Sequence, residues 1–451
     1  MNSRKTLFGL AAVLAIAALL LMVVPSAVSA DHVAGEDPND FANISWIAIC
    51  SILVFIMTPG VALFYGGMLR KQSMTSVIAQ TLLAMAVMGI SWVAVGYSLA
   101  FSEGNALIGG FDYIFFNGLS DSVIADGSTI PDMEFAVFQM MFGLITAGIV
   151  LGACAERIRY TAITWFLVIW SILVYAPMAH MVWGGGFLAS LPAGLVTLDF
   201  AGGTVVHMCS AVSGVACAVA IGRRSNRITT GRSHNVPMMF LGAMILWLGW
   251  FGFNCGSEGA FDEIAVLAMV NTMLAPAVST IAWIIIQYLH VGRVNVTGLC
   301  AGVLSGLVGI TPGCGFVDPW AAVIIGAAAA VVVYFGIIFM REKSGIDDAL
   351  DVMGVHGIGG IWGCIAVGIF AVSGYSWVGD GGLIEGNLDM LVGQLVNVVV
   401  TLVYCFVVSF VIMKVIDWIM IKATERGARL SEEEQMIGSD IVEHGEPSYV
   451  M

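Results

Sequence analysis

The chain has 451 residues, of which 59% are hydrophobic and only 11% charged, and its mean hydropathy is +0.95. Soluble domains carry roughly 25% charged residues, so this composition excludes a soluble globular protein and reads as a multispanning membrane protein. The net charge of −14 says little as a total, because its two signs are separated along the chain.

Residues 1–30 come first in chain order. "MNSRK" is a basic n-region, "TLFGLAAVLAIAALLLMVV" an apolar core, and "PSAVSA" ends in A-x-A form before Asp31. That pattern predicts a secretory signal peptide cleaved after Ala30, leaving the new N-terminus outside; the alternative is an uncleaved first helix. Eleven apolar stretches follow, at 43–69, 75–100, 133–154, 160–183, 200–222, 235–254, 264–290, 295–312, 319–340, 353–374 and 389–422. Most have the ~20 residues that cross a ~30 Å hydrocarbon core as a helix. Residues 31–422 therefore read as one eleven-helix membrane domain, and 423–451 as a polar, acidic tail.

The cations order this map. Beyond Ala30 the chain has fifteen Lys and Arg, from Arg70 and Lys71 to Arg426 and Arg429, and they lie at alternate connections, toward or after the ends of odd-numbered spans. Connections 101–132, 184–199, 255–263 and 375–388 contain none. Cytoplasmic loops are the ones rich in Lys and Arg. The expected orientation is N-terminus outside and C-terminus in the cytoplasm, which an odd number of spans requires.

Within the spans, "AGGTVVHMCSAVSG" (201–214) and "GIGGIWG" (357–363) set small residues three and four apart, a spacing that lets helices approach closely in lipid. These segments carry His207 and His356. Ionisable residues inside a span default to function, although an isolated histidine on an apolar face is more often a satisfied core residue. The histidines fall on spans five and ten, which suggests an inverted 5+5 repeat with the eleventh span appended; transporters often place their path at such an interface. Asp199, just ahead of span five, reads as a helix N-cap, as does Asp351 ahead of span ten. His32, His234 and His444 read as solvated loop or tail residues, and neither His180 nor His290 is given a pore role.

Other chemistry is not visible. The nine cysteines form no C-x-x-C pair and mostly lie in apolar runs, so they pack as small hydrophobes. There is no P-loop, H-E-x-x-H or G-x-S-x-G motif and no basic, aromatic-interleaved patch for nucleic acid. No enzyme, cofactor or metal is expected.

Six segments together carry a resemblance. They are "FQMMFGLITAGIVLGACAERIRY" (138–160), "YAPMAHMVWGGGFL" (175–188), "LDFAGGTVVH" (198–207), "LWLGWFGFNCGS" (246–257), "GITPGCGFV" (309–317) and "DDALDVMGVHGIGG" (347–360). In this order the chain resembles the ammonium transporters of the Amt/Mep/Rh superfamily, and most closely the prokaryotic Amt type. The resemblance implies an all-α membrane protein of eleven helices with two inversely related halves. It also implies a homotrimer in the plasma (inner) membrane with one pathway per protomer. It assigns ammonium recruitment to Trp183, Phe142 and Ser257, a stacked phenylalanine gate to Phe142 and Phe253, and a paired-histidine pore and proton relay to His207 and His356. Asp199, Trp250 and Thr311 are implied as supporting positions. The tail segment "GSDIVEHGEPSY" resembles the family's tail, which implies a PII-type regulatory partner at the cytoplasmic face.

The task explains why such a set would be needed. Ammonium is close in size to potassium but can lose a proton, so an apolar path that admits neutral ammonia excludes potassium without measuring it. Three versions stay open: ammonia passage with a proton relayed by the histidines, a passive ammonia channel, and an ammonium sensor signalling through the tail. Sensors of the family carry large additional cytoplasmic domains, which a tail of this length does not hold. Methylammonium is the expected transport analogue.

Overall fold

The structure, a computed structural model, describes residues 32–125, 127–226 and 233–449; the expected signal peptide at 1–30 lies outside them. Among the described residues eleven helices are long and apolar enough to cross a membrane: α1 (Pro38–Met68), α2 (Lys71–Phe101), α3 (Asp132–Cys154), α4 (Tyr160–Val182), α5 (Gly203–Ile221), α6 (Val236–Glu258), α7 (Glu263–Val291), α8 (Val296–Gly313), α9 (Pro319–Glu342), α10 (Met353–Phe370) and α11 (Leu388–Thr424). Each expected stretch becomes one of these helices, with ends shifted by a few residues. A short helix, α12 (Glu432–Ile437), follows in the tail. A two-residue antiparallel ladder joins His32–Val33 to Val123–Ile124.

Local chemistry sets the helix starts. Asp37 caps α1 with Pro38 at its first position and closes a capping box with Asp40. Asn235, Asp262, Asn295 and Asn387 accept backbone N–H bonds at the starts of α6, α7, α8 and α11. Each satisfies donors that a helix leaves orphaned. In lipid every backbone polar group must be paired internally, so these caps mark where the chain meets the polar boundary.

Packing follows residue size. α1 lies along α6, α7 packs on α8 and α9, and α11 lies against α5 and α10. α5 is almost wholly buried, whereas α11 exposes a stripe from Val392 through Leu395, Val399, Val403, Val407, Val411 and Val415 to Trp418. That spacing of three and four is one helical face, here turned to the surroundings as a lipid-facing surface requires. α5 and α10 cross closely: a Cβ on Gly360 would stand 2.8 Å from the Gly203 carbonyl oxygen, and one on Gly203 would stand 2.6 Å from Pro312 Cβ. Only glycine fits at that crossing.

The two ends of the bundle differ in charge. Connections after α1, α3, α5 and α9 carry Lys and Arg, and ion pairs knit them together. Glu156, held at φ +68, accepts Arg70 Nε at 2.8 Å and Arg224 Nη1 at 2.9 Å. Arg224 also grips Asp347, while the fully buried Arg157 donates to the Gly222, Ala153 and Asp347 carbonyls. Burial alone would raise Asp347, yet the Arg224 guanidinium brings it down to about 2. The opposite end has no Lys or Arg in its connections. One end of the bundle is thus basic and the other acidic.

Candidate functional site: an aromatic and imidazole column between two cavities

Each end of the bundle opens into a cavity. At the acidic end about 510 Å³ is lined by Trp183, Ser257, Gln139, Asp199, Glu258 and Trp377, among others. At the basic end about 540 Å³ is lined by residues including Arg70, Arg224, Trp283, Arg341, Asp351 and Val355. Between the two stands a column of buried rings.

The column starts at Trp183, at the end of α4, whose indole N–H donates to the Asp199 carbonyl at 2.8 Å. Phe142 on α3 meets Trp183 edge-on at 6.0 Å and stacks on Phe253 of α6 at 4.3 Å and 24°. Ser257 sits one turn beyond Phe253 and donates to its carbonyl at 2.8 Å, which leaves the hydroxyl lone pairs for another donor. Below the stacked pair, the His207 ring lies 5.8 Å from Phe253 and 5.3 Å from Trp250, nearly parallel to both. Trp250 is fixed by a 2.8 Å bond from its indole to Thr311 Oγ1.

His207 and His356 meet through their Nδ1 atoms at 3.2 Å, with rings 1% and 8% exposed residue-wise. An N–H must lie between two such nitrogens, so one imidazole carries its proton on Nδ1 and accepts at Nε2, while its partner donates at Nε2. His207 Nε2 is buried and has no protein partner. Both histidines belong to π-helical turns, Gly203–Met208 and Met353–Ile358, that open α5 and α10. A π turn widens a helix locally and recurs at functional sites. His207 N–H, for example, reaches back to the Gly202 carbonyl, five residues earlier.

Asp199 holds the start of α5. Its carboxylate accepts the backbone N–H groups of Gly202, Gly203, Thr204 and Val205 and the Thr204 hydroxyl. Burial pushes its pKa up, and those donors pull it back only in part. The expected cap is therefore present, with its oxygens fully engaged in the protein.

All nine residues singled out from sequence, Trp183, Phe142, Ser257, Phe253, His207, His356, Asp199, Trp250 and Thr311, thus gather in one column or support it. Three other expectations are corrected. Asp351 does not cap α10: it sits at φ +58 and receives the Arg341 guanidinium, and Asp348 accepts the Met353 N–H instead, at 2.7 Å. His234 is not solvated but bonded to the Leu69 carbonyl and the Tyr449 hydroxyl. His444 packs edge-on against Tyr160 at 5.1 Å. Sequence reasoning also passed over Thr204, Gln139 and Glu258. Glu258 carried a signal, as an acid directly after Ser257.

The tail docks on the basic end. Arg159 bonds Glu434 at 2.6 Å and Glu443 at 3.4 Å, Glu443 accepts the Tyr160 N–H, and Asp440 accepts the Ser76 N–H. Gln435 accepts the Ser225 N–H, and its carbonyl accepts Arg70 Nη2.

A bundle of eleven spans with a buried ring column between two end cavities is a membrane transport architecture. Residues 45–449 match the sequence profile of the Ammonium Transporter Family. The ammonium transporter of Bacillus subtilis (strain 168) is 41% identical over 400 residues, covering 89% of this chain and 96% of the relative. Ammonium transporter Amt1 of Archaeoglobus fulgidus is 38% identical, covering 90% and 99%. Among solved structures, Saccharomyces cerevisiae Mep2 superposes with a TM-score of 0.78 at 34% identity, covering 87% and 88% of the two chains. A structure described as a sensor Amt protein superposes with a TM-score of 0.79 at 27% identity, covering 90% and 99%. The chain belongs to the ammonium transporter family, and it is a multispanning membrane protein.

Proposed function

We propose that the protein recruits ammonium at its acidic end, strips one proton and conducts ammonia through the ring column. In this reading the acidic end faces outward and the basic end the cytoplasm, in a plasma (inner) membrane. Trp183 and Phe142 offer π-faces that attract a cation by roughly 0.5–2 kcal/mol, and Ser257 accepts one N–H. A charge at the bilayer centre costs at least about 2.5–3.5 kcal/mol, so the cation stops at the Phe142–Phe253 stack and the neutral amine goes on. His207 and His356 give it a donor and an acceptor in an otherwise apolar tube, and a shared proton between them provides a relay. Asp199, Trp250 and Thr311 keep the rings in place.

The observation that supports this most is the 3.2 Å Nδ1–Nδ1 contact buried beneath the stacked phenylalanines. The positions of Lys and Arg favour an external N-terminus, with residues 1–30 removed as a signal peptide. The two halves each contribute one histidine on a π turn, in keeping with an inverted 5+5 repeat. Family membership favours a homotrimer, and the docked tail at 423–449 suits a PII-type partner.

The test is current recording on purified protein in liposomes after an ammonium jump, with a potassium control and His207→Ala in parallel. Ammonium current in the parent and none in the variant is the expected result. Ammonia flux without current points to a passive channel, and potassium current contradicts neutral passage. The likeness to a sensor protein keeps a second reading in view: saturable ammonium binding with no flux of any kind would select it.

A further inference from the structure

Two carboxylates line the acidic-end cavity, and they are not equivalent. Asp199 has both oxygens committed to the N-terminus of α5. Glu258 ends α6 immediately after Ser257, is only partly buried, and among the described residues accepts one donor, the Ser376 hydroxyl, at 3.0 and 3.2 Å. A carboxyl group that receives one donor keeps further acceptor capacity, and here that capacity stays open toward the cavity. Ser376 sits at φ +41, an uncommon backbone for a residue with a side chain, and that turn is what carries its hydroxyl to Glu258. A second acceptor lines the same cavity: Gln139 Oε1 is buried with no partner among the described residues. The connections at this end hold no Lys or Arg to neutralise Glu258, and Asp262 and Glu263 follow it closely.

We propose that Glu258 is the electrostatic recruitment residue of this cavity, concentrating ammonium or small alkylammonium cations at the Trp183–Ser257 cup with Gln139 as a further acceptor. The proposal rests on the transport reading above and adds a residue to it. A carboxylate attracts any small cation, so Glu258 acts on apparent affinity and leaves selectivity to the phenylalanine stack beneath. Sodium and potassium then compete weakly for the cup without passing.

The test is saturable uptake of radiolabelled methylammonium by the full-length protein in proteoliposomes, at about 10 mM and about 0.2 M ionic strength, where screening lengths are roughly 30 and 7 Å. The expected result is a parent KM that rises with ionic strength. Glu258→Gln should raise KM about three- to tenfold at low ionic strength, keep Vmax within about twofold, and lose the salt dependence, while Glu258→Asp restores most of it. A KM unchanged in Glu258→Gln, or a fall in Vmax at constant KM, overturns the proposal and leaves the transport reading standing. A salt-independent KM in the parent overturns it even if the Gln variant does not fold. No saturable uptake by the parent overturns the transport reading, and this proposal with it.

Discussion

Asp199 shows how one side chain can fix a site by holding its backbone. Its five hydrogen bonds gather Gly202 through Val205 around a buried carboxylate, and His207 rides on the turn they form. Removing a buried acceptor leaves several donors unpaired, at about 1–3 kcal/mol each. Asp199→Ala should therefore lower the detergent melting temperature by many degrees and abolish uptake, whereas Thr204→Val, which removes one donor, should cost about 1–3 kcal/mol. Asp348 offers a pH test. Burial, with repulsion from Asp351, pushes it up to about 6. Between the ordinary carboxylate value near 3.9 and that raised one, rising pH ionises it in the unfolded chain before the folded one, so folding loses stability; above it the loss is constant. Asp348→Asn does not titrate, so the parent should lose on the order of 2 kcal/mol relative to the variant from pH 4 to pH 7, and almost nothing further to pH 8. A constant difference in thermal melts across that range contradicts it. The aromatic residues of the ring column were legible only through the family resemblance, since composition alone leaves them as belt or core aromatics. The role of Asp351 was not, because its partner Arg341 lies on the preceding span, outside the reach of any capping pattern.

The helices were legible from hydropathy, to within a few residues at their ends, but their internal form was not. π turns at Gly203–Met208 and Met353–Ile358 leave no mark in a pattern of apolar residues, since nearly every neighbour is apolar too. The glycine spacing in "AGGTVVHMCSAVSG" and "GIGGIWG" did foretell a close crossing, and Gly360 against the Gly203 carbonyl is where it happens. Gly360→Leu must push α10 off α5 and draw the imidazoles apart. The expected outcome is a folded but less stable protein whose ammonium current falls at least about tenfold, since small shifts in a packed core are costly; a variant that keeps full current rules out the need for that contact.

Over the whole molecule, charge is what the sequence separates most clearly. The basic end binds its own tail through Arg159, Arg70 and the backbone around Tyr160. Composition shows 423–451 only as a polar, acidic tail, because the partners of Glu434 and Glu443 lie more than 270 residues away in sequence. Arg159→Glu sets like charges against both, and residues 431–449 should then be cut by protease at least about tenfold faster than in the parent, with the spans intact. Equal cutting rates would show that other contacts hold the tail. The two cavities carry a consequence of their own. They reach toward the same barrier from opposite sides, and that barrier is a few side chains thick, set in helices locked by glycine contacts. In the proposed transport reading, a solute would need only for rings to swing aside, on the time scale of rotamer hops, while the scaffold stays still. Chemical cross-links that staple α1 to α6 should accordingly leave flux intact, whereas a carrier that rocks between two shapes would be frozen by them.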